Sequence, residues 1–174
     1  MMRRIFIAGA FAGVLAGCAT PTTYEGMVPT AFDNAKRHAQ SVSVAVSGGR
    51  ETDATDKPQI SDAAFTQALT QAIAQSRTFS RVVTGAGGDY LLTVALTGLD
   101  QPSFGFSFTV KMEAGWTLRR ASTGAVVWQQ AILSEHTATT SDAFAAVTRL
   151  RLATEGAARN NIAQGLARIS RLEL

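Results

Sequence analysis

The sequence is poor in the side chains that most catalytic and metal sites need, since it holds one cysteine and two histidines in 174 residues. His38 and His136 lie far apart in the chain and, with no free thiol beside them, make a weak zinc site. We expect both on the surface. Acidic residues are few and dispersed, and no G-x-S-x-G elbow marks a serine nucleophile. We therefore predict a protein that is not an enzyme and binds no metal or cofactor.

The sequence also lacks an apolar run long enough to cross a membrane. Its most apolar stretch, residues 5–15, spans about 16 Å as a helix, against about 30 Å for the hydrocarbon core of a bilayer. Arg3 and Arg4 precede this stretch, and small residues follow it, which is typical of a secretory signal peptide. The alternative is a buried or membrane-spanning helix with an unrelated cysteine. The length of the stretch and the arginines before it favour the signal peptide.

The single cysteine stands directly after this segment, in the order Leu15-Ala16-Gly17-Cys18. These four residues resemble the lipobox of bacterial lipoproteins. The resemblance implies that residues 1–17 are removed and that Cys18 becomes the N-terminus, carrying a diacylglycerol thioether and an N-linked acyl chain. Two or more chains hold a protein stably on a membrane, whereas one binds marginally. By the sorting pattern of enteric lipoproteins, Ala19 implies the outer membrane at its periplasmic face.

The chain has little excess of either charge once the signal is removed. Taking Arg3 and Arg4 from the 16 basic residues leaves 14, against 13 acidic residues. The sequence pI of about 9.5 thus does not indicate a nucleic-acid-binding protein, because the basic residues are scattered rather than gathered into one patch. With Cys18 acylated, no thiol remains for a disulfide, so the domain depends on its apolar core. We expect no nucleic acid among its partners.

The remaining chain predicts a tether and one domain. Residues 18–40, with Pro21 and Pro29 and little periodicity, predict a linker that holds the domain away from the membrane. Residues 41–174 predict a single α+β domain with elements in the order β-α-β-β-β-β-α. We expect a two-layer sandwich in which a mostly antiparallel sheet carries both helices on one face.

Hydrophobic periodicity defines the first elements of this domain. Residues 41–47 alternate valine with small residues, as a half-buried strand does. Ser61 is the expected N-cap of a helix with an apolar stripe made of Phe65, Ala68, Leu69, Ala72 and Ile73. Residues 79–83 follow as a short strand, and strand, helix and strand together predict a crossover unit. Residues 90–99 predict the next strand.

The clearest pattern covers residues 104–118, where apolar and polar side chains alternate without a break. No helix has a period of two, so this stretch predicts an antiparallel strand whose buried face includes Val110, Met112 and Trp116. At about 3.3 Å per residue it would run about 50 Å, and we expect a bulge or bend near Gly115. A hairpin turn follows, with a left-handed glycine, and leads into the last strand.

The last helix is expected between a Ser141-Asp142 cap and about Leu172. Its apolar stripe, extended backwards by helical spacing, reaches Glu155 and Arg151 instead of apolar residues. The two are four residues apart and are expected to pair on the helix. One interpretation is an ion pair that fixes the helix against the sheet. The other is a pair that faces a partner or ligand.

The phenylalanines at positions 104, 106 and 108 also permit two interpretations. If the hairpin tip that follows the turn at Pro102 projects beyond the helices, Phe104, Phe106 and Phe108 form an exposed apolar patch of the kind that contacts a protein or a membrane. If a helix covers them, they belong to the core.

The order of elements behind a lipobox resembles small envelope lipoproteins of Gram-negative bacteria. It is similar to the lipopolysaccharide-assembly lipoprotein and to the amino-terminal domain of TolB-like proteins, and residues 151–162 resemble a segment of uncharacterised lipoproteins of this size. The resemblance implies a non-enzymatic accessory or scaffold in envelope assembly or transport, with an envelope protein as partner. The alternative is a periplasmic module whose sheet and helices enclose a small apolar ligand or lipid.

Overall fold

The computed structural model describes residues 20–174, and Cys18 with the predicted signal peptide lies outside that range. The elements are α1 (Tyr24–Met27), β1 (Ser41–Ser47), α2 (Asp62–Ser76), β2 (Arg81–Val83), β3 (Tyr90–Asp100), β4 (Phe108–Arg120), β5 (Val126–Ala138) and α3 (Ala146–Ile169). Beyond the short first helix, the order is the predicted β-α-β-β-β-β-α. None of the helices within residues 20–174 has the length and apolar character to span a bilayer.

The five strands form one open sheet in the spatial order β2-β1-β3-β4-β5. β1 pairs in parallel with β2 and with β3, so the predicted β1–α2–β2 crossover is present. β3, β4 and β5 pair as antiparallel neighbours through much longer ladders. The predicted α+β sandwich is confirmed, with α2 and α3 packed on one face of a sheet whose paired residues are mostly antiparallel.

The alternating pattern of β4 places every second side chain beneath the helices, as predicted. Val110, Met112, Ala114 and Trp116 are all buried, whereas Lys111 and Glu113 are exposed and Gly115 is half-buried. Since α3 lies on β4 and β5 and α2 lies on β1 and β2, the core is a single layer between helices and sheet.

Trp116 is held in this core by polar contacts as well as by packing. Its Nε1 donates to Asn161 Oδ1 at 2.9 Å, and Asn161 Nδ2 donates to the carbonyl of Ile132 at 2.9 Å. A Cβ at Gly165 would lie 2.5 Å from Trp116 Cη2, so only glycine lets α3 approach the indole ring this closely. Trp116 therefore helps to fix the position and orientation of α3 on the sheet.

A bulge or bend was predicted near Gly115 on β4; the irregularity lies close to that residue, opposite Ala114 and Glu113, but on another strand. Gly115 pairs in regular register with Ala95 on β3 and Ala131 on β5. The β3–β4 register shifts instead between Leu96 and Gly98, on the neighbouring strand. β4 is 13 residues long, shorter than the alternating stretch of the sequence, because the chain before Phe108 leaves the sheet.

The predicted cap of the last helix is wrong. The N-cap of α3 is Ala145, which makes no side-chain hydrogen bond. Ser141 and Asp142 belong to the turn before the helix, where Asp142 Oδ2 accepts from the backbone N–H of Thr139 at 2.7 Å and from its hydroxyl at 2.9 Å. Ser61, by contrast, caps α2 as predicted.

The N-terminal segment packs into the domain, whereas the sequence predicted a free linker as far as residue 40. Met27 is fully buried, and α1 contacts both α2 and α3. Farther on, Asn34 Nδ2 donates to the Ser76 carbonyl at 3.2 Å, and Ala35 N–H donates to Ser170 Oγ at 3.0 Å. This segment fills the seam between the two long helices, so the packed chain begins near residue 22 rather than at residue 41.

Candidate functional site

A buried carboxylate on α3 holds the chain that leads away from Cys18. Glu155 is only 2% exposed, and its Oε1 accepts from the Thr23 N–H at 2.9 Å and from the Thr23 hydroxyl at 3.1 Å. Arg151 Nη1 donates to the same oxygen at 2.8 Å. The predicted pairing of Arg151 with Glu155 is therefore present, and the pair fixes the N-terminal segment rather than the contact between helix and sheet.

Arg159, one turn farther along α3, completes this arrangement. Its Nε donates to the Gly26 carbonyl at 3.0 Å. A Cβ on Gly26 would overlap the Glu155 carboxylate, so the backbone of α1 lies directly against α3. We call this group the N-terminal clasp, and its members are Thr23, Gly26, Arg151, Glu155 and Arg159.

The clasp limits how far the domain can lie from the predicted lipid. Thr22, which donates from its hydroxyl to the Gln59 carbonyl at 2.7 Å, is buried and is four residues from Cys18. A chain extends at most about 3.3–3.6 Å per residue, so four residues can span no more than about 15 Å. The sequence predicted a much longer linker.

The structure separates the three phenylalanines that the sequence grouped. Phe104 and Phe106 are 88% and 87% exposed in the loop between β3 and β4, whereas Phe108 begins β4 and is buried. The exposed-patch interpretation therefore holds for Phe104 and Phe106, and the core interpretation holds for Phe108. Phe144, in the loop before α3, is 96% exposed. Local pattern did not predict this exposure, although a lone phenylalanine among small and polar residues is a visible signal in the sequence.

One buried arginine holds both of these loops. Arg149 is 5% exposed, and its Nη1 donates to the carbonyls of Ala143 at 3.0 Å and Phe144 at 2.5 Å. Its Nη2 donates to the Gly105 carbonyl at 3.5 Å, and the guanidinium stands over the Phe108 ring at 5.3 Å. Gly105 has φ +146°, a conformation that side chains rarely tolerate. We call the three exposed residues the phenylalanine tip: Phe104, Phe106 and Phe144.

The clasp and the phenylalanine tip lie at the same end of the domain. Gln101 Nε2, just before the β3–β4 loop, donates to Thr154 Oγ1 at 2.9 Å, beside Glu155. Arg149 and Glu155 are six residues apart on α3, or about 9 Å at 1.5 Å per residue. We call this the anchor end.

The opposite end of the domain is rich in exposed arginine. Arg37, Arg77 and Arg81 line a groove of about 620 Å³ beside the edge strand β2. Within residues 20–174 none of the three forms an ion pair. The β4–β5 hairpin adds Arg119 and Arg120 to the same end, because β4 ends where β2 begins. We call this the arginine end.

The two histidines do not approach each other or form a site. His38 is buried at 7% exposure, contrary to the surface position we expected, with its Nε2 3.0 Å from the Ile169 carbonyl. Its ring lies 5.5 Å from that of Phe79. In the described range 20–174, no three histidine, cysteine or acidic side chains stand close enough together to hold a metal ion.

Asp89 and Asp142 both have a lowered pKa, and structural contacts explain each shift. Hydrogen bonds from Ser41, chiefly from its hydroxyl and next from its N–H, lower the pKa of Asp89. Hydrogen bonds from Thr139, chiefly from its N–H and next from its hydroxyl, lower the pKa of Asp142. Perturbed carboxylates often mark active sites, but each of these binds neighbouring backbone at a strand end or turn. They indicate local structure rather than catalysis.

The sequence matches no protein-family model and no curated protein. Solved structures nevertheless share the fold. A DUF330 protein of Xanthomonas campestris superposes with a TM-score of 0.63 at 13% identity, covering 85% of this chain and 91% of its own. A Caulobacter crescentus protein named as a lipoprotein gives a TM-score of 0.52 at 18% identity, covering 74% and 87%. A leucine-to-methionine variant of the PelC dodecamer of Paraburkholderia phytofirmans gives a TM-score of 0.52 at 16% identity, covering 84% of this chain and 95% of its own.

These identities are low, so the likeness shows the fold alone. Bacterial lipoproteins occur among the proteins that share it, which is consistent with the resemblance to small envelope lipoproteins. The more specific resemblance to the lipopolysaccharide-assembly lipoprotein and to TolB-like domains stays a prediction.

Proposed function

We propose that this protein is a lipid-anchored lipoprotein on the periplasmic face of the outer membrane. In this proposal it acts without catalysis, as an accessory or scaffold in envelope assembly or transport. The N-terminal clasp is the observation that supports the proposal most. A domain tied to a bilayer through only four residues after Cys18 keeps a defined orientation only if its first packed residues are held firmly. Glu155 does this through charge-assisted hydrogen bonds, the stronger kind.

This arrangement gives the arginine end a role. With the lipid at the anchor end, the exposed guanidinium groups of Arg37, Arg77 and Arg81 point away from the membrane. α3 has 24 residues, so the two ends are separated by about 36 Å. Complementary charge speeds and orients association between proteins. We infer that the envelope partner presents an acidic surface to this groove.

The alternative, an apolar ligand enclosed between sheet and helices, has less support. Large side chains occupy that space, since Phe65, Tyr90 and Trp116 are all fully buried there. A scaffold needs no internal cavity, whereas a lipid-binding module does. The geometry therefore favours a protein that works through its surface.

The anchor is tested by replacing Cys18 with serine in the full-length protein. We expect Cys18→Ser to lose incorporation of labelled palmitate and to leave the membrane fraction, because no thioether forms. Sucrose-gradient separation of the wild-type membranes should place the protein with outer-membrane markers. Unchanged label and attachment in the variant would refute the lipid anchor, and recovery with inner-membrane markers would refute the location.

The partner surface is tested by charge reversal after mild detergent extraction. We expect Arg77→Glu with Arg81→Glu to abolish co-purification of the partner, because both guanidinium groups line the groove. The matched control reverses two charges away from the groove, Arg50→Glu with Lys111→Glu, and should keep the partner. Bound lipid without any partner protein would instead support the ligand-binding alternative.

A further inference from the structure

We propose that the phenylalanine tip is a second membrane contact, in which Phe104, Phe106 and Phe144 enter the lipid interface beside the acylated Cys18. This inference rests on the proposed lipid anchor and says which surface of the domain then faces the bilayer. It also states what covers the three rings, namely a lipid surface rather than a protein.

The exposure of the three rings requires an explanation. Fully burying a phenylalanine side chain stabilises a protein by about 1.5–3 kcal/mol relative to leaving it in water. The same chain buries Phe65, Phe79 and Phe108 almost completely. An apolar group of three rings at one end of a soluble domain is the feature that marks a protein or membrane contact.

The rings stand on loops that are held in place. Arg149 binds the carbonyls of Phe144 and Gly105 with one guanidinium, so the two loops have a fixed relation to each other. Phe104 and Phe106 flank Gly105 in sequence. Because the arginine is buried and bonded to backbone, ring insertion into lipid would require little additional ordering of the loops.

The length of chain beyond the clasp argues for lipid as the occupant. Thr23 is five positions after Cys18 in the sequence, a span of up to about 18 Å at 3.3–3.6 Å per residue. Glu155, which holds Thr23, is about 9 Å along α3 from Arg149, which holds the tip. The acyl chains and the three rings can therefore enter the same bilayer.

Two or more acyl chains already hold a protein on a membrane, so the tip adds orientation more than affinity. A lipid alone is a single pivot, about which the domain can tilt. Contact at the phenylalanine tip would keep the axis of α3 roughly perpendicular to the membrane and the arginine end away from the bilayer. Phenylalanine is uncharged, so the contact should form on zwitterionic lipid.

The test uses the full acylated protein, purified in detergent and reconstituted into phosphatidylcholine vesicles. Tryptophan is placed singly at the tip, as Phe104→Trp, Phe106→Trp and Phe144→Trp. The matched control is Leu133→Trp, since Leu133 is 70% exposed on the outer face of β5, away from the tip. Subtracting the wild-type signal removes the emission of Trp116 and Trp128.

We expect phosphatidylcholine brominated on its acyl chains to quench the added tryptophan at each tip position and to leave Leu133→Trp unquenched. Near-ultraviolet circular dichroism shows whether each variant keeps the wild-type environment of Trp116. The inference would be overturned if the tryptophans at the tip were quenched no more than the one at Leu133→Trp. If the protein still floats with the vesicles in that case, the anchor remains intact.

Two other outcomes also overturn it. Blue-shifted tip emission without bromine quenching would mean that protein, a partner or a second copy, covers the rings. Wild-type protein that lacks acyl chains and fails to float with the vesicles would refute the anchor itself, and the inference falls with it. Flotation thus separates failure of the anchor from failure of the tip.

Discussion

The two ends of the domain use charged and apolar side chains in opposite ways. At the anchor end, Arg149 and Glu155 are buried and bind backbone, while three phenylalanines stand in solvent. At the arginine end, Arg77 and Arg81 are exposed, while the neighbouring Phe79 is buried. The arginine end thus keeps these charged groups outside and this aromatic ring inside, which is the usual arrangement. The anchor end reverses it, which indicates a surface that is not made to face water alone.

A core substitution tests whether both ends belong to one cooperative unit, and it should have the largest effect. Trp116→Ala removes a fully buried ring beneath α3 and should cost about 3–5 kcal/mol in the free energy of unfolding, as large-to-small core changes do. Thr117→Ala, on the opposite face of β4, should change it by no more than about 0.5 kcal/mol. Urea melts measure both. Equal shifts, or two separate transitions, would contradict a single core beneath both ends.

Substitutions in the N-terminal clasp should have the next largest effect on the free energy of unfolding. Glu155→Gln keeps an acceptor for Thr23 but loses the charge, and should cost about 2–3 kcal/mol, since hydrogen bonds to charged groups and buried pairs are strong. Arg151→Met should cost less, because Thr23 still donates to the Glu155 carboxylate. Their double variant should be milder than the sum of the two.

Thermal and urea midpoints of the three clasp variants measure this coupling. The control is Arg50→Met, which removes an exposed pair with Asp56 at 3.5 Å and should change stability by less than about 1 kcal/mol. Additive effects in the clasp, together with loss of partner binding, would show instead that Arg151 and Glu155 face a partner.

Acid should change the stability contributed by the two ends to different extents. We expect this effect to be smaller than those of the core and clasp substitutions. The pKa of Asp89 and that of Asp142 are both lowered in the folded protein, so the stability they contribute is present above their unfolded values and is lost as pH falls through the folded ones. Asp89 joins β1 to the start of β3 through Ser41. Asp142 closes only a turn at the anchor end.

We therefore expect Asp89→Asn to lower the thermal midpoint near neutral pH more than Asp142→Asn does. Below about pH 4, where unfolded aspartate becomes protonated, both variants should approach the wild type. Thermal melts across that range measure the difference. A difference between Asp89→Asn and the wild type that persists in strong acid would show that hydrogen-bond geometry, and not the charge of Asp89, stabilises the strand pair.

Several elements followed from local pattern alone. The period of two in β4, the apolar stripe of α2 and its Ser61 cap are confirmed because backbone geometry dictates those spacings wherever one face is buried. The left-handed glycine of the hairpin is confirmed as well, since Gly124 has φ +70°. The bulge or bend expected near Gly115 lies on β3 instead of β4, because strand register depends on the neighbouring strand as much as on the residue itself.

The sequence by itself determined the order of elements, the buried face of β4 and the pairing of Arg151 with Glu155, because those depend on residues close together in the chain. Only the tertiary structure decided what Glu155 binds and which phenylalanines stay in solvent. Thr23 and Glu155 are 132 residues apart in sequence, and no local period relates them. Folding the sheet and helices brings them together, and the same packing buries Phe108 while leaving Phe104 and Phe106 outside.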